Sequence, residues 1–300
     1  MIHQLALLSG LAAAWTATIL VPTEPTVSPP TQPPAGTTDD YWYRGLAEVS
    51  TYDVERRRYG EARSGYAVLI FVTEDFLTEA QTKAEGRVPS GDRAVNVLKL
   101  NRIERFETGI YDYSLMTSVF TPADGSPTLK TSTSIQDWCG HVWEQLNRRG
   151  ESFRVTGHSY FQAEGDGGVQ LPAHLLEDEV WTRLRLAPDR LPQGELQVIP
   201  SSVRARLSHR PLTAVSARGT LRDGTKPDER IYELAFDRGR TLQISFAAAA
   251  PHRIRGWVET ERGQLVTRGT RRAITMTDYW AHNGNRDRGL RQPLGLPVVR

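Results

Sequence analysis

The sequence predicts a mainly β protein, a large curved antiparallel sheet or partial barrel with one helix packed against it. The first observation is a series of segments rich in β-branched and aromatic residues, of which Tyr66 to Thr73 is the clearest. The second is the short return between consecutive segments, for example at Arg58-Tyr59-Gly60 and at Glu261-Arg262-Gly263. Parallel strands need crossovers of about a dozen residues, so these returns predict antiparallel pairing. The third is that only one segment has clear helical periodicity.

The first group of predicted strands covers the half of the chain before residue 162. A strand from Arg44 to Arg57 pairs with Ala62 to Phe76 across the turn at Gly60, and Val95 to Phe106 follows with imperfect apolar alternation. Glycine, proline and aspartate mark the remaining turns, at Asp124-Gly125-Ser126-Pro127 and Arg148-Arg149-Gly150. The other strands predicted in this group are Tyr111 to Thr121, Thr128 to Asp137, His141 to Asn147 and Phe153 to Phe161.

The second group of strands lies near the end of the chain and also forms hairpins. Arg230 to Phe236 returns through Asp237-Arg238-Gly239-Arg240 into Thr241 to Phe246. Ile254 to Thr260 and Gln264 to Thr267 then flank the turn at Gly263. No convincing internal repeat relates the two groups.

The one predicted helix runs from Ala173 to Leu186. Pro172 suits its start and Pro188 ends it. Apolar residues share one face of this helix, namely Leu175, Leu176, Val180, Trp181 and Leu184. Acidic residues lie opposite, and we expect them to be solvated near the helix N-terminus, where negative charge is favoured; they are Glu177, Asp178 and Glu179.

The first 40 residues indicate where in the cell the protein is located. Leu5 to Val21 is uncharged and mostly apolar, which is typical of an export signal or a membrane anchor, and Thr23 to Thr38 is a Thr/Pro tract typical of a stalk. We therefore expect a signal or anchor at 1–21, a stalk at 22–40 and a β-rich domain at 41–300. A split into two subdomains near 188–200 stays an alternative. The predicted location is the periplasm, or the outer side of a membrane to which residues 4–21 attach the protein.

Composition limits the partners and the chemistry. The single cysteine, Cys139, excludes a disulfide within one chain and any multi-cysteine metal site. The net charge is +2, but residues 1–200 carry 18 basic and 26 acidic side chains, whereas residues 201–300 carry 19 and 9. We interpret this asymmetry as attraction between the two parts within one fold, with contact to anionic lipid as the alternative. The arginines are scattered along strands without a recognition helix, so nucleic acid is not an expected partner.

The densest group of reactive side chains is Asp137-Trp138-Cys139-Gly140-His141. On a continuous strand, Asp137, Cys139 and His141 would share one face because the side-chain period is two, and they would resemble a nucleophile, a base and an orienting carboxylate. Cysteine is also among the most buried residue types, so a buried Cys139 beside a structural Trp138 is the competing interpretation.

Other candidate residues suggest binding more than catalysis. Trp138, Trp143 and His158 are candidate contacts for a sugar or lipid, although core packing is the default for tryptophan. His158, Glu164 and Asp166, with His141, offer oxygen and nitrogen ligands, but their spacing matches no compact metal site. We predict no metal and no cofactor. The sequence also lacks a GxSxG elbow, a phosphate-binding glycine loop, an HExxH motif and a dinucleotide fingerprint.

Several segments resemble a family of exported bacterial envelope proteins that often carry the label septum formation inhibitor Maf. These segments are Tyr41 to Val49, Ala67 to Asp75, Gly109 to Ser114, Gln136 to His141 and Leu175 to Trp181. Members commonly begin with a lipoprotein signal, whereas here Gly10 stands where acylation requires cysteine. The Ser-x-Arg-Arg-x-x-Leu motif of true Maf nucleotide pyrophosphatases is absent, and Thr270-Arg271-Arg272 is the nearest run. The resemblance therefore implies an envelope protein of unknown biochemistry.

Three functional hypotheses follow. The first is a non-catalytic binding or carrier module for an amphiphilic ligand, with a lipid, a glycan or an envelope protein as partner; it predicts a concave apolar pocket. The second is an enzyme centred on Cys139 and His141 that acts on envelope material, which requires an exposed thiol facing a cleft. The third is a Maf-type nucleotide pyrophosphatase.

Overall fold

The computed structural model describes residues 39–298, so the predicted signal at 1–21 and nearly all of the predicted stalk lie outside the described residues. One sheet contains fifteen strands. They are β1 (Ala47–Arg58), β2 (Glu61–Leu77), β3 (Ala94–Thr108), β4 (Tyr111–Pro122), β5 (Lys130–Asp137), β6 (Gly140–Arg149), β7 (Ser152–Ser159), β8 (Gly167–Pro172), β9 (Leu175–Leu176), β10 (Gly194–Ile199), β11 (Val215–Asp223), β12 (Glu229–Phe236), β13 (Arg240–Ala247), β14 (Ile254–Glu261) and β15 (Gln264–Thr277).

The order of the strands makes the sheet an incomplete ring. The chain meanders from β1 to β8, passes to β9 and meanders back through β15, which pairs with β1. All neighbours are antiparallel except β9 and β10. Only Ala173 and His174 separate the two edge strands β8 and β9, and this link spans at most about 11 Å. The sheet must therefore curl until its edges meet, and we call the gap between β8 and β9 the seam.

The predicted fold class is confirmed, and so are the predicted hairpins. The turn at Gly60 joins β1 to β2, and the turn at Gly263 joins β14 to β15. Both glycines have positive φ, +82° and +76°, which side chains with a Cβ rarely adopt. The sequence patterns missed β8, β10 and β11. β8 begins with two glycines and β11 is interrupted by Gly219, so neither presents the β-branched run that marks the other strands.

Helices are few and short within the described residues. They are α1 (Asp39–Trp42), α2 (Val180–Leu186) and α3 (Ser202–Leu207). Single turns of 3₁₀-helix occur at Gln162–Glu164, Glu177–Glu179, Pro188–Arg190, Asp237–Gly239 and Tyr279–Ala281, with a longer one at Asn285–Arg291. Among residues 39–298, no helix is both long enough and apolar enough to span a bilayer.

The predicted helix at Ala173 to Leu186 is correct only in its second half. Leu175–Leu176 instead forms the edge strand β9, which pairs in parallel with Val198 and Ile199 of β10. A 3₁₀ turn follows, and α2 begins only at Val180. The expected solvation of the preceding acids is also wrong. Glu177, Asp178 and Glu179 are at most 5% exposed.

α2 packs against β3 and β4 and is buried on nearly all sides. Trp181 meets Trp257 of β14 edge to face, with ring centroids 5.3 Å apart. Arg185 on the same helix donates two hydrogen bonds to Glu48 of β1, at 2.5 and 2.7 Å. Burial alone would raise the pKa of Glu48, but the Arg185 guanidinium outweighs it and holds that pKa below its usual range. A buried ion pair thus fixes the helix to the sheet.

Candidate functional site

The reactive group at 137–141 does not form the expected shared face, because it is a hairpin turn. β5 ends at Asp137 and β6 begins at Gly140, with Trp138 and Cys139 between them. Oδ1 of Asp137 accepts hydrogen bonds from the backbone N–H groups of Cys139 and Gly140, at 2.7 and 3.2 Å. The carboxylate therefore caps the turn and does not orient a histidine. The expectation of a buried Cys139 is also wrong, since both Cys139 and Trp138 are exposed.

A cleft lies next to the seam, along the edge strand β8. It measures about 830 Å³ and lies between the inner face of β6–β8 on one side and α3 with the following segment 209–213 on the other. Apolar side chains make up much of its wall, including Val142, Phe161, Leu171 and Leu212. Gly157 leaves its floor open, because a Cβ there would meet nothing closer than 3.9 Å.

A chain of charged groups forms one side of this cleft. Arg206 of α3 donates to Glu144 of β6 at 2.7 Å and to Glu164 at 3.0 Å. Glu164 continues the chain to Nδ1 of His209 at 2.6 Å and to the hydroxyl of Ser159 at 3.3 Å. Glu144 is only 2% exposed, whereas His209 is exposed. The chain of charges therefore runs from the interior to the surface along one wall.

Two atoms of this network have no partner among the described residues. They are Oε1 of Glu144 and Nε of Arg206, and both are buried. The first is an obligate acceptor in the ionised carboxylate and the second is an obligate donor. An unpaired buried group of this kind costs about 1–3 kcal/mol, more if charged. The first atom therefore lacks a donor and the second lacks an acceptor.

Two of the predicted binding residues border the cleft. Trp143 and His158 are opposite each other in the register of β6 and β7, and their rings stack with centroids 5.7 Å apart. The burial alternation along β6 places Trp143 on the face opposite to Glu144, so the pair borders the cleft and does not form its floor. His158 also lies 3.2 Å from Asp166.

The side chains that offered oxygen and nitrogen ligands in the sequence are only partly together. Glu164 pairs with Arg206 and His209, whereas His158 contacts Asp166. Within residues 39–298, no group of three or more His, Cys, Asp or Glu side chains is arranged to hold a metal ion.

Aromatic residues extend from the cleft along one end of the ring, and we call them the aromatic edge: Tyr59, Tyr111, Tyr113, Trp138, Tyr160 and Phe161. The hydroxyls of Tyr59 and Tyr113 are 2.8 Å apart, and Tyr111 contacts both Tyr113 and Trp138. Beyond the turn at Gly140, the ring of Tyr160 lies so close that a Cβ at 140 would come within 2.9 Å of it. Tyr160 then contacts Phe161, which contacts His209 in the cleft. Trp138, the third predicted binding residue, is thus part of this edge.

Of the charged half of the site, the sequence patterns found only Glu164, as a possible oxygen ligand. Glu144 and Arg206 are 62 positions apart, and neither belongs to a local motif. The only local signal is Glu144 itself, a carboxylate at an inward position of β6 between Val142 and Leu146. A charge at an inward strand position requires a partner, but it does not say where in the chain that partner is.

Fold and site together define a mainly β protein with an open ring and a cleft beside its seam. No family model matches the chain, and no curated protein matches it. One solved structure with a similar course is a β-barrel-like protein of a domain of unknown function, DUF1849, from Brucella abortus. The identity is 11%, the match covers 78% of this chain and 98% of that chain, and the TM-score is 0.49. A similarity at this level carries no argument about function.

Proposed function

We propose that this protein is a binding or carrier module for an amphiphilic ligand, which it holds in the cleft beside the seam. The observation that carries the proposal is a cleft of about 830 Å³ that combines an apolar wall with two charged lining residues, Glu144 and Arg206, each of which has one buried atom without a partner. Ligand sites are typically concave and mostly apolar, with a few polar groups that fix orientation. The ligand we propose has an apolar part and a hydroxyl-bearing head, as in a glycolipid.

The aromatic edge supports the same proposal from outside the cleft. Trp138 and Tyr160 are 70% and 68% exposed, and Phe161 connects the edge to the cleft. Tyrosine and tryptophan suit a boundary between apolar and aqueous surroundings, because each has a large apolar ring and a polar group. Such an edge provides a path along which an amphiphile reaches the seam. The apolar, Pro-flanked N-terminal segment supports an exported module that works in the cell envelope.

The exposed thiol of Cys139 does not favour the enzymatic alternative. Asp137 is engaged by the turn, and Cys139 is not among the residues that line the cleft. The chain's resemblance to proteins labelled Maf adds no nucleotide pyrophosphatase proposal, because the motif of that activity is absent from the sequence.

The first experiment fills the cleft. Gly157→Leu adds a side chain beside Glu144 without a backbone clash, and Gly289→Leu is the control, since Gly289 has open space around it and lies outside the cleft. Native mass spectrometry of the protein recovered from cell envelopes is the measurement. We expect a lipid or glycan adduct on the wild type and on Gly289→Leu, and its loss from Gly157→Leu. Retention of the adduct by Gly157→Leu, or a wild type free of any adduct, would refute the proposal.

A second experiment tests the polar head. The probe is N-phenyl-1-naphthylamine, an amphiphilic dye without a hydroxyl group, used to titrate the purified full-length protein. Glu144→Gln keeps the shape but loses the charge that faces Arg206. We expect the dye to bind both proteins equally, because it contacts only the apolar wall, whereas the native adduct is weakened in Glu144→Gln. Equal adduct levels in both proteins would contradict a role for Glu144 in recognition.

A further inference from the structure

A second and smaller cavity lies inside the ring beneath α3, separate from the cleft. It measures about 90 Å³, and strands β1, β3, β13, β14 and β15 form its walls. Exposed Arg57 and half-buried Arg58 belong to the lining, so the cavity reaches the surface near the β1–β2 turn. A water molecule occupies about 30 Å³ in the liquid, so a cavity of this size accommodates a group of several heavy atoms.

Four buried polar atoms that belong to residues of its lining have no hydrogen-bond partner among residues 39–298. They are Nε1 of Trp257, Oγ1 of Thr267, Oγ of Ser201 and Nε of Arg58. Trp257, Thr267 and Ser201 are at most 5% exposed. The indole and guanidinium nitrogens are donors only, and the two hydroxyls are able to donate as well. All four atoms therefore fit a group that accepts hydrogen bonds.

The charges around the cavity favour an anion. Five arginines line it, together with the carboxylates of Glu177 and Glu259. Arg240 bonds to both of these carboxylates, at 2.6 to 2.8 Å, so they are already paired. Arg56 and Arg204 are already paired as well, with Glu104 and Glu261, which leaves Arg57, Arg58 and Arg102. Arg102 has a single, longer ion-pair contact, 3.6 Å to Glu104, and its guanidinium stacks over Trp181 and Trp257. The charge of Arg102 also acts on Glu177 and Asp178, and its planar guanidinium has the geometry that suits an oxyanion.

We propose that this cavity binds a tetrahedral oxyanion group, a phosphate or a sulfate. The oxygens of such a group accept from the indole of Trp257, the hydroxyls of Thr267 and Ser201, and the guanidinium of Arg58, while Arg102 supplies charge. Hydrogen bonds to an ionised acceptor are about twice as strong as neutral ones, so an anion would satisfy these donors better than a neutral group. The proposal does not depend on the ligand of the seam cleft.

The test is isothermal titration of the full-length protein with inorganic phosphate, with sulfate and with glycerol 3-phosphate, at constant ionic strength set by sodium chloride. We expect saturable binding of phosphate. Thr267→Val removes one donor at nearly constant shape and is expected to weaken binding about ten-fold. Thr270→Val, on the same strand but exposed, is the control and leaves the affinity unchanged. A tighter response to glycerol 3-phosphate also supports the site and assigns it to phosphate esters.

A second readout keeps the proposal falsifiable if a core variant is unstable. The indole N–H resonance of Trp257 is expected to shift on addition of phosphate to the wild type, because it gains an acceptor. An absence of saturable binding by all three anions would mean that the cavity holds water only and would overturn the proposal. Equal weakening in Thr267→Val and Thr270→Val, or an unmoved indole resonance, would indicate binding to surface arginines and would overturn it as well.

Discussion

Replacing Asp178 with asparagine is expected to stabilise this protein at neutral pH. Asp178 is 5% exposed, and Oδ2 accepts a single backbone hydrogen bond, from the N–H of Ser202 at 3.2 Å. Burial, followed by the negative charge of Glu177, raises the pKa of Asp178 from 3.8 to about 6. Asparagine keeps an oxygen able to accept from Ser202 but carries no charge. The variant therefore removes the cost of a buried, poorly compensated carboxylate.

The size and the pH window of the effect follow from the pKa. The folded-state pKa lies above the unfolded value of 3.8, so the folded protein binds the proton more tightly. The contribution of protonated Asp178 to the free energy of unfolding is fully present below pH 3.8, declines as the pH rises, and is lost above pH 6. A shift of about two units corresponds to about 3 kcal/mol at 1.36 kcal/mol per unit. We expect Asp178→Asn to be more stable than the wild type by about 1–3 kcal/mol at pH 8 and equal to it near pH 3.8.

The assay is urea denaturation of both proteins between pH 4 and pH 8, followed by tryptophan fluorescence. The quantity to plot is the difference in free energy of unfolding, because carboxylates common to both proteins cancel. The exposed Asp223→Asn variant is the control and should change stability by less than about 0.5 kcal/mol at every pH. A difference that does not vary with pH, or a less stable Asp178→Asn at pH 8, would refute the reasoning.

Three further outcomes test the ion pairs and the turn. Arg185→Leu leaves the buried carboxylate of Glu48 with only the hydroxyl of Tyr41 and the guanidinium of Arg253, 4.0 Å away, and should cost about 3 kcal/mol in urea denaturation. The added change Glu48→Leu should restore most of this loss, and equal losses in the two proteins would contradict the prediction. The thiol of Cys139 should react with a disulfide reagent as completely in the native protein as in urea, and slow native reaction would show that it is protected. Asp137→Ala should lower the free energy of unfolding by up to about 1 kcal/mol, because two turn N–H groups lose their acceptor, and an unchanged value would mean that water replaces it.

Most of the sheet was predictable because short stretches of sequence determine its strands and turns. Three or four consecutive residues determine a hairpin turn, as at Gly60 and Gly263, and the strands on either side carry β-branched and aromatic residues. Hydrophobic periodicity fails where the chain passes from a short strand into a helix without a change in the apolar pattern. Leu175 and Leu176 continue the helical periodicity of α2, but their backbone pairs with β10, and the length of a periodic run does not reveal where the helix begins.

The functional residues were predicted less well, because they depend on contacts across the chain. Cys139 was expected to be buried from the general behaviour of cysteine, and its position in a two-residue turn decided otherwise. Trp143 and His158 were identified by their chemistry alone and do border the cleft. Glu144, Arg206 and His209 meet only because the ring closes, and no spacing in the sequence encodes that closure.

The charge asymmetry of the sequence is explained by contacts across the fold. Arginines from the basic last hundred residues pair with acids of the first two hundred: Arg230 with Asp189, Arg240 with Glu177, Arg253 with Glu48, Arg272 with Asp53, and Arg206 with Glu144 and Glu164. The interpretation that the two parts attract each other is confirmed by these pairs.

The pairs made by Arg206 differ from the others because they lie beside the seam. Between β8 and β9 no ladder of backbone hydrogen bonds joins the two edges in the described part of the chain. An apolar cluster that includes Phe153, Leu171, Leu176 and Leu212 joins the two edges instead, and the Arg206 network links α3 to β6 beside it. The width of the cleft is therefore set by side chains and not by sheet hydrogen bonds. A leucine at position 157 consequently blocks the cleft while every strand ladder stays intact, and loss of ligand in that variant reports on the cleft alone.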